Sequence, residues 1–133
     1  MARAIGIALP ISFKQSVEIC AFVKNKNVNK AKKMLQEVTE KKRAIPFKRY
    51  NWDLGHKKKI GPAMYPEKAS KEFIKLFEGV EANAQFKGLN TSNLVVTHIS
   101  AHKSGKVLRF GRKTRRKTKR TNIEIVVEEK KKD

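Results

Sequence analysis

Apolar residues recur along this chain with two periods, and the change from one to the other divides it. Arg3 to Leu9 is a short run of small and β-branched residues that predicts a strand closed by Pro10. From Phe13 to Lys24 the positions Phe13, Val17, Cys20 (or Ala21) and Phe22 fall near helical spacing. Ser12 then reads as an N-cap, with Gln15 completing a capping box. Asn25 and Asn27 break this helix, and Asn29 caps a second one over Lys30 to Glu40. Ala31, Met34, Leu35 and Val38 share its inner face. The longest helix is predicted from Pro66 to Phe86, with Pro66 in the first turn and Gly88 at C′. Ala69, Phe73, Ile74, Phe77, Val80, Glu81 and Ala84 trace its inner stripe, and Gly79 is expected at a close packing contact.

After Gly88 the period shortens to two. Leu94 to Ile99 and Thr121 to Val127 read as strands, the second alternating Thr121, Ile123, Ile125 and Val127 with polar or exposed positions. Pairing Leu94 near Val127 puts the reversal of a hairpin at Phe110-Gly111. Beyond the packed sheet each strand would run about nine residues, about 30 Å. Glu128 to Asp133 reads as a frayed, charged tail. Residues 41–64 follow neither period. Basic and aromatic residues are interleaved there and punctuated by Pro46, Gly55, Gly61 and Pro62, so the segment is expected to be a long functional loop. For Tyr50 and Trp52, packing and base stacking stand as equal alternatives.

Charge turns these elements toward a partner. The formal net charge is +20, and ten of the eighteen residues from Lys103 to Arg120 are Lys or Arg, with no acid among them. No acidic residue occurs between Glu81 and Glu124. A ribbon so charged buries too little apolar surface to order itself and calls for a polyanion. Nucleic acid is the usual one. A membrane partner is disfavoured, because no apolar run reaches about 18 residues and Lys14 and Glu18 interrupt any signal-like segment. At 133 residues and 39 % apolar content, the chain 1–133 is expected to form a single domain with one modest core plus charged extensions.

Catalysis and metal binding find little support. Cys20 is the only cysteine and reads as a buried packing thiol in a reducing compartment. His98 and His102 lie four apart, but on a strand that separates them by about 13 Å, too far to share a metal. Neither phosphate-binding glycine loops nor a nucleophile elbow occurs. The chain is therefore expected to be no enzyme and to need no cofactor or metal. A DNA-binding architectural protein is the alternative reading.

Specific strings go further than charge. Leu9-Pro10-Ile11-Ser12-Phe13-Lys14-Gln15-Ser16, Ile45-Pro46-Phe47-Lys48-Arg49-Tyr50-Asn51-Trp52-Asp53, Gly55-His56-Lys57 and Tyr65-Pro66 resemble the family of universal large-subunit ribosomal protein number 22. So do Glu81-Ala82-Asn83-Ala84-Gln85-Phe86-Lys87-Gly88-Leu89 and Lys119-Arg120-Thr121-Asn122-Ile123-Glu124-Ile125-Val126-Val127. The middle insertion is similar to the archaeal–eukaryotic branch. The resemblance implies an α+β fold, with three helices packed on a small antiparallel sheet and a long projecting β-hairpin. It implies a structural constituent of the cytoplasmic ribosome that binds large-subunit rRNA and supports its assembly. Its arm, residues 93–128, would extend toward the wall of the peptide exit tunnel. Implied partners are that RNA, neighbouring large-subunit proteins and the nascent chain, and no membrane.

Matched onto this sequence, the positions expected to touch rRNA begin with Lys14, then Lys48, Arg49, Asn51, His56, Lys57, Lys58 and Lys59 in the basic loop. Asn83 and Lys87 follow on the long helix, and His102, Lys103 and Lys106 at the base of the arm. Arg109, Arg112, Lys113, Arg115, Arg116, Lys117, Lys119 and Arg120 complete the set. Arg109, Phe110, Gly111 and Arg112 are expected at the tunnel-facing tip. Relatives commonly carry Pro-Arg-Ala ahead of the Gly-Arg that matches Gly111-Arg112, and here Phe110 runs directly into it, implying a shorter tip.

Overall fold

The computed structural model describes residues 1–130, and the end of the expected tail, 131–133, lies outside them. In chain order the elements are β1 (Ala2–Leu9), α1 (Phe13–Val23), α2 (Val28–Thr39), β2 (Ile45–Pro46), β3 (His56–Lys57) and β4 (Gly61–Met64). They continue with α3 (Glu67–Phe86), β5 (Leu94–Lys103), β6 (Val107–Leu108), β7 (Lys117–Thr118) and β8 (Thr121–Glu129). The class is α+β. The main sheet has the order β1-β8-β5, antiparallel throughout. Its central strand β8 alternates as its sequence predicts, with Thr121, Ile123, Ile125 and Val127 buried.

The helices cover one face of this sheet, α1 against β5, α3 against β1 and β8, and α2 against α3. Phe73, Phe77, Ile19, Leu35, Leu94, Ile123 and Ile125 are fully buried between these layers. Each such side chain contributes about 1.5–3 kcal/mol of burial free energy. β1 buries only small residues fully, Ala2 and Gly6, where α3 approaches closely, while Ala4 and Leu9 pack on the core half-buried. A Cβ on Gly6 would meet Leu9 Cδ1 at 2.8 Å and Leu76 Cδ2 at 3.0 Å. The free edge of β5 is covered by the α1–α2 link, where Asn25 N–H donates to Val96 O and Val96 N–H to Lys26 O. That satisfies the edge at the start of β5.

Local expectations were met unevenly. α2 buries Val28, Ala31, Met34, Leu35 and Val38, and α3 ends in a Schellman motif in which Leu89 N–H donates to Ala84 O and Gly88, at φ +71°, to Gln85 O. The cap of α2 is Asn27, whose side chain accepts from Asn29 N–H. The capping box at Ser12 does not form: Gln15 Nε2 faces Met64 Sδ, and Ser16 Oγ donates to Ser12 O. The buried positions of α1 are Ser16, Glu18, Ile19, Cys20 and Val23, while Phe13, Val17 and Phe22 are half-exposed. Gly79 sits on the exposed side of α3, and a Cβ added there would meet nothing within 4 Å, so it marks no close contact. Pro66 precedes α3 as its cap.

Two larger corrections concern the basic segments. Residues 41–64 are not structureless. β2, β4 and β3 form a small antiparallel sheet, each strand too short to show a period. The hairpin register also shifts. Leu94 pairs with Glu129 and Val96 with Val127, a bulge follows at Thr97, and a second slip separates Lys103↔Thr121 from Val107↔Thr118. The reversal therefore centres on Arg112 and Lys113, within a 3-10 turn over Gly111–Lys113, rather than on Phe110-Gly111. Gly111, at φ +78°, opens that turn in a conformation that favours glycine.

Candidate nucleic-acid interface

The basic surface is organised by one buried acid. Glu18 lies on the inner side of α1 with only 2 % of its surface exposed. Its Oε1 accepts from the backbone N–H groups of Arg49 (2.8 Å) and Tyr50 (2.9 Å), and its Oε2 from that of Lys48 (3.1 Å). A carboxylate is short of donors when buried, and three successive amides supply them. The consequence is geometric: the segment Lys48–Tyr50 is held against α1 while its Lys and Arg side chains remain in solvent. No local sequence pattern joins residues 30 positions apart, so this role was invisible in the sequence. The one available signal was an acid among apolar positions in α1.

Tyr50, fixed in this way, packs edge-to-face on Phe13, with ring centroids 6.3 Å apart. Cations surround the pair. Lys14 Nζ lies 5.8 Å and Arg49 Cζ 5.5 Å from the Tyr50 centroid, and Lys103 Nζ lies 5.4 Å from that of Phe13. Lys103 comes from the end of β5, so α1, the basic loop and the root of the arm converge here. The neck of the arm is pinned from behind: Thr121 Oγ1 donates to Ile11 O, and Ala8 N–H donates to Asn122 Oδ1 across the β1 irregularity. A cleft of about 340 Å³ opens at this junction, lined by Ser12, Phe13, Lys14, Tyr50, Lys103, Ser104, Lys106, Lys119 and Arg120. In an adjoining groove, Arg109, Lys117, Lys119 and Arg120 come together with Pro10, Gln15 and Lys68.

Beyond the neck the arm is exposed on both faces. Lys106, Arg109, Arg112, Lys113, Arg115, Arg116, Lys117 and Lys119 are all exposed, as is Phe110, while Arg120 is half-buried. Arg109 N–H donates to Arg116 O and Arg116 N–H to Lys113 O, which closes the tip, and Thr118 Oγ1 donates to Val107 O. The ion pairs among the described residues, Lys32–Glu81, Lys41–Glu67, Lys42–Glu40, Arg43–Glu37 and Lys75–Glu72, all lie on the helices or the turn after α2. None involves an arm cation.

The other expected contact residues divide. Asn51, His56, Lys58 and Lys59 are exposed in the basic loop; Lys57 is half-buried, its Nζ 5.4 Å from the Tyr65 ring centroid. Trp52 is 86 % exposed, which excludes the packing alternative within this chain; Tyr50 packs on Phe13. Asn83 and Lys87 stand apart. They lie toward the far end of α3, and from Lys68 to Asn83 the helix rises about 22 Å. Their side chains are engaged by the N-terminal segment: Asn83 Nδ2 donates to Arg3 O of β1 and Lys87 Nζ to Met1 O just before it. His102 is exposed near the arm, its Nε2 3.0 Å from Ser100 Oγ. Both His98 and His102 fall on β5. Among the described residues no helix is long and apolar enough to cross a membrane.

Fold and surface define a small, strongly basic α+β protein with a paired, cation-covered arm. The family described as Ribosomal protein L22p/L17e has a model that matches residues 4–128, and the chain belongs to this family. It is similar to proteins named large ribosomal subunit protein uL22. That of Archaeoglobus fulgidus is 42 % identical over 135 residues, covering 96 % of this chain and 87 % of the relative. That of Methanoculleus marisnigri is 43 % identical over 138 residues, covering 97 % and 90 %. That of Thermofilum pendens is 39 % identical over 134 residues, covering 96 % and 89 %.

Proposed function

We propose that this protein is a structural component of the large ribosomal subunit that binds its RNA and supports its assembly in the cytoplasm. The observation that carries this is the arm: a paired ribbon whose cations have no acidic partner among the described residues, in a chain whose relatives are named as large-subunit proteins. Lys and Arg of the arm and of the Lys48–Lys59 loop neutralise phosphates, and guanidinium groups bridge phosphate oxygens in pairs or stack on bases. The helices and main sheet form the rigid base that aims the arm. The family resemblance extends this to an arm directed at the wall of the peptide exit tunnel, with Arg109, Phe110, Gly111 and Arg112 toward the nascent chain, and to neighbouring large-subunit proteins around the globular part. The chemistry required is positional and electrostatic, with no bond made or broken.

Sedimentation of cell lysate tests the reading. Co-migration with large subunits through a high-salt wash is the expected result. Release from the subunit together with recovery on genomic DNA would replace it with an architectural DNA-binding role.

A further inference from the structure

The cleft at the root of the arm has a composition that phosphate binding alone does not require. Its lining combines two aromatic rings in edge-to-face contact, Phe13 and Tyr50, with the cations Lys14, Lys103, Lys106, Lys119 and Arg120, and includes no carboxylate. Cations suffice to hold a duplex by its sugar-phosphate ridge. Aromatic rings in such a lining add a surface on which a flat ligand can stack, which a phosphate ridge alone does not use. The volume, about 340 Å³, is at the small-ligand end of the pocket range. We infer that this cleft receives one unpaired nucleotide of the bound RNA, its base against Phe13 and Tyr50 and its flanking phosphates on the lining cations. This rests on the RNA-binding reading above and adds to it a preference for bulged or single-stranded RNA.

The site is built before ligand arrives. Glu18 fixes the backbone at Tyr50, and Thr121 and Asn122 fix the neck. The cations resting 5.4–5.8 Å from the ring centroids sit on long flexible stems, so they can swing from ring to phosphate as a base enters. Base–aromatic stacking tolerates any base, so the cleft selects unpairedness rather than sequence.

The test uses the full chain and two synthetic RNA hairpins, identical except that one carries a single-nucleotide bulge. The readout is the ratio of their dissociation constants by fluorescence anisotropy. Wild type should favour the bulged hairpin about five-fold or more, from the stacking of one base. Phe13→Leu and Tyr50→Leu should each bring the ratio close to one. Arg115→Ala, at the tip, should weaken binding to both hairpins and leave the ratio in place. Should Phe13→Leu fail to fold, Tyr50→Leu, altered in the surface loop, decides alone. Equal affinity of wild type for both hairpins, or a ratio that survives Tyr50→Leu, overturns the inference while leaving RNA binding intact. Absence of binding to either hairpin rejects the RNA-binding reading and the cleft with it.

Discussion

Glu18 carries more of this structure than any single cation does. Its carboxylate satisfies three backbone amides and is itself almost fully enclosed, so removing it strands donors that the loop must then turn out to water. Hydrogen bonds to a charged group are worth about 1.5–3 kcal/mol each, with incomplete additivity, so Glu18→Ala should lower stability by about 3 kcal/mol. Urea unfolding followed by far-UV circular dichroism measures this, and a loss under about 0.5 kcal/mol would show that the contacts are not structural. Cys20 makes the complementary case. Burial pushes its thiol up from 9.0 to about 12. The folded value lies above the unfolded one, so the contribution is fully present below pH 9 and fades as pH rises from 9 toward 12. At pH 10 the unfolded thiolate should cost about 1.4 kcal/mol of stability. Comparing wild type with Cys20→Ala at pH 8 and pH 10 isolates this loss from other alkaline effects, and an identical pH dependence of the two proteins would refute it.

At the scale of elements, the ribbon has two parts with different support. β5 and β8 are packed on the helices through Val96, Ile99, Ile123, Ile125 and Val127, whereas β6 and β7 share two paired positions with no core behind them. Two-stranded pairing without a buried face is marginal in water. In the isolated protein, amides of Ile123 and Ile125 should therefore exchange slowly and those from Val107 to Thr118 quickly, with protection of the latter appearing on addition of RNA. Strong protection of the arm without RNA would contradict this. The same contrast explains what the sequence made legible. α2 and β8 were readable because the periodic positions Ala31, Met34, Leu35 and Val38, and Ile123, Ile125 and Val127, are all buried in the core. The stripe of α1 misleads because Phe13 and Phe22 are only half-buried, with Lys103 and Lys26 against their rings, while Ser16 and Glu18 occupy buried positions for their hydrogen bonds. The hairpin register was not legible because alternation alone does not reveal the bulge at Thr97 or the slip beyond Lys103. Of the candidate site, the concentration of cations was plain in composition, but the cleft joining Phe13, Tyr50 and Lys103 arises from contacts across the fold.

For the molecule as a whole, the formal charge of +20 is unevenly balanced. Carboxylates pair with cations on α2, α3 and the turn after α2, and Glu18, the one buried acid among the described residues, is spent on backbone amides of the basic loop. The arm and loop thus form a cationic pole on a partly neutralised body. Association through such a pole is driven by release of counterions from the RNA, so its salt dependence counts the phosphates engaged. With about eight to ten phosphates neutralised, affinity for a structured RNA should fall by roughly 10³ to 10⁵ between 50 and 200 mM salt. Replacing Arg112, Arg115 and Arg116 with Ala should reduce the slope of log affinity against log salt by about one for each phosphate left unneutralised. The control is Lys30→Ala with Lys33→Ala, both exposed on α2, leaving out Lys32 because it is already paired with Glu81 at 2.7 Å. That control should leave the slope nearly unchanged. A slope near zero in wild type would remove electrostatics as the basis of binding. Equal slope changes in the two variants would mean that charge acts as a diffuse cloud and the arm has no privileged part in it.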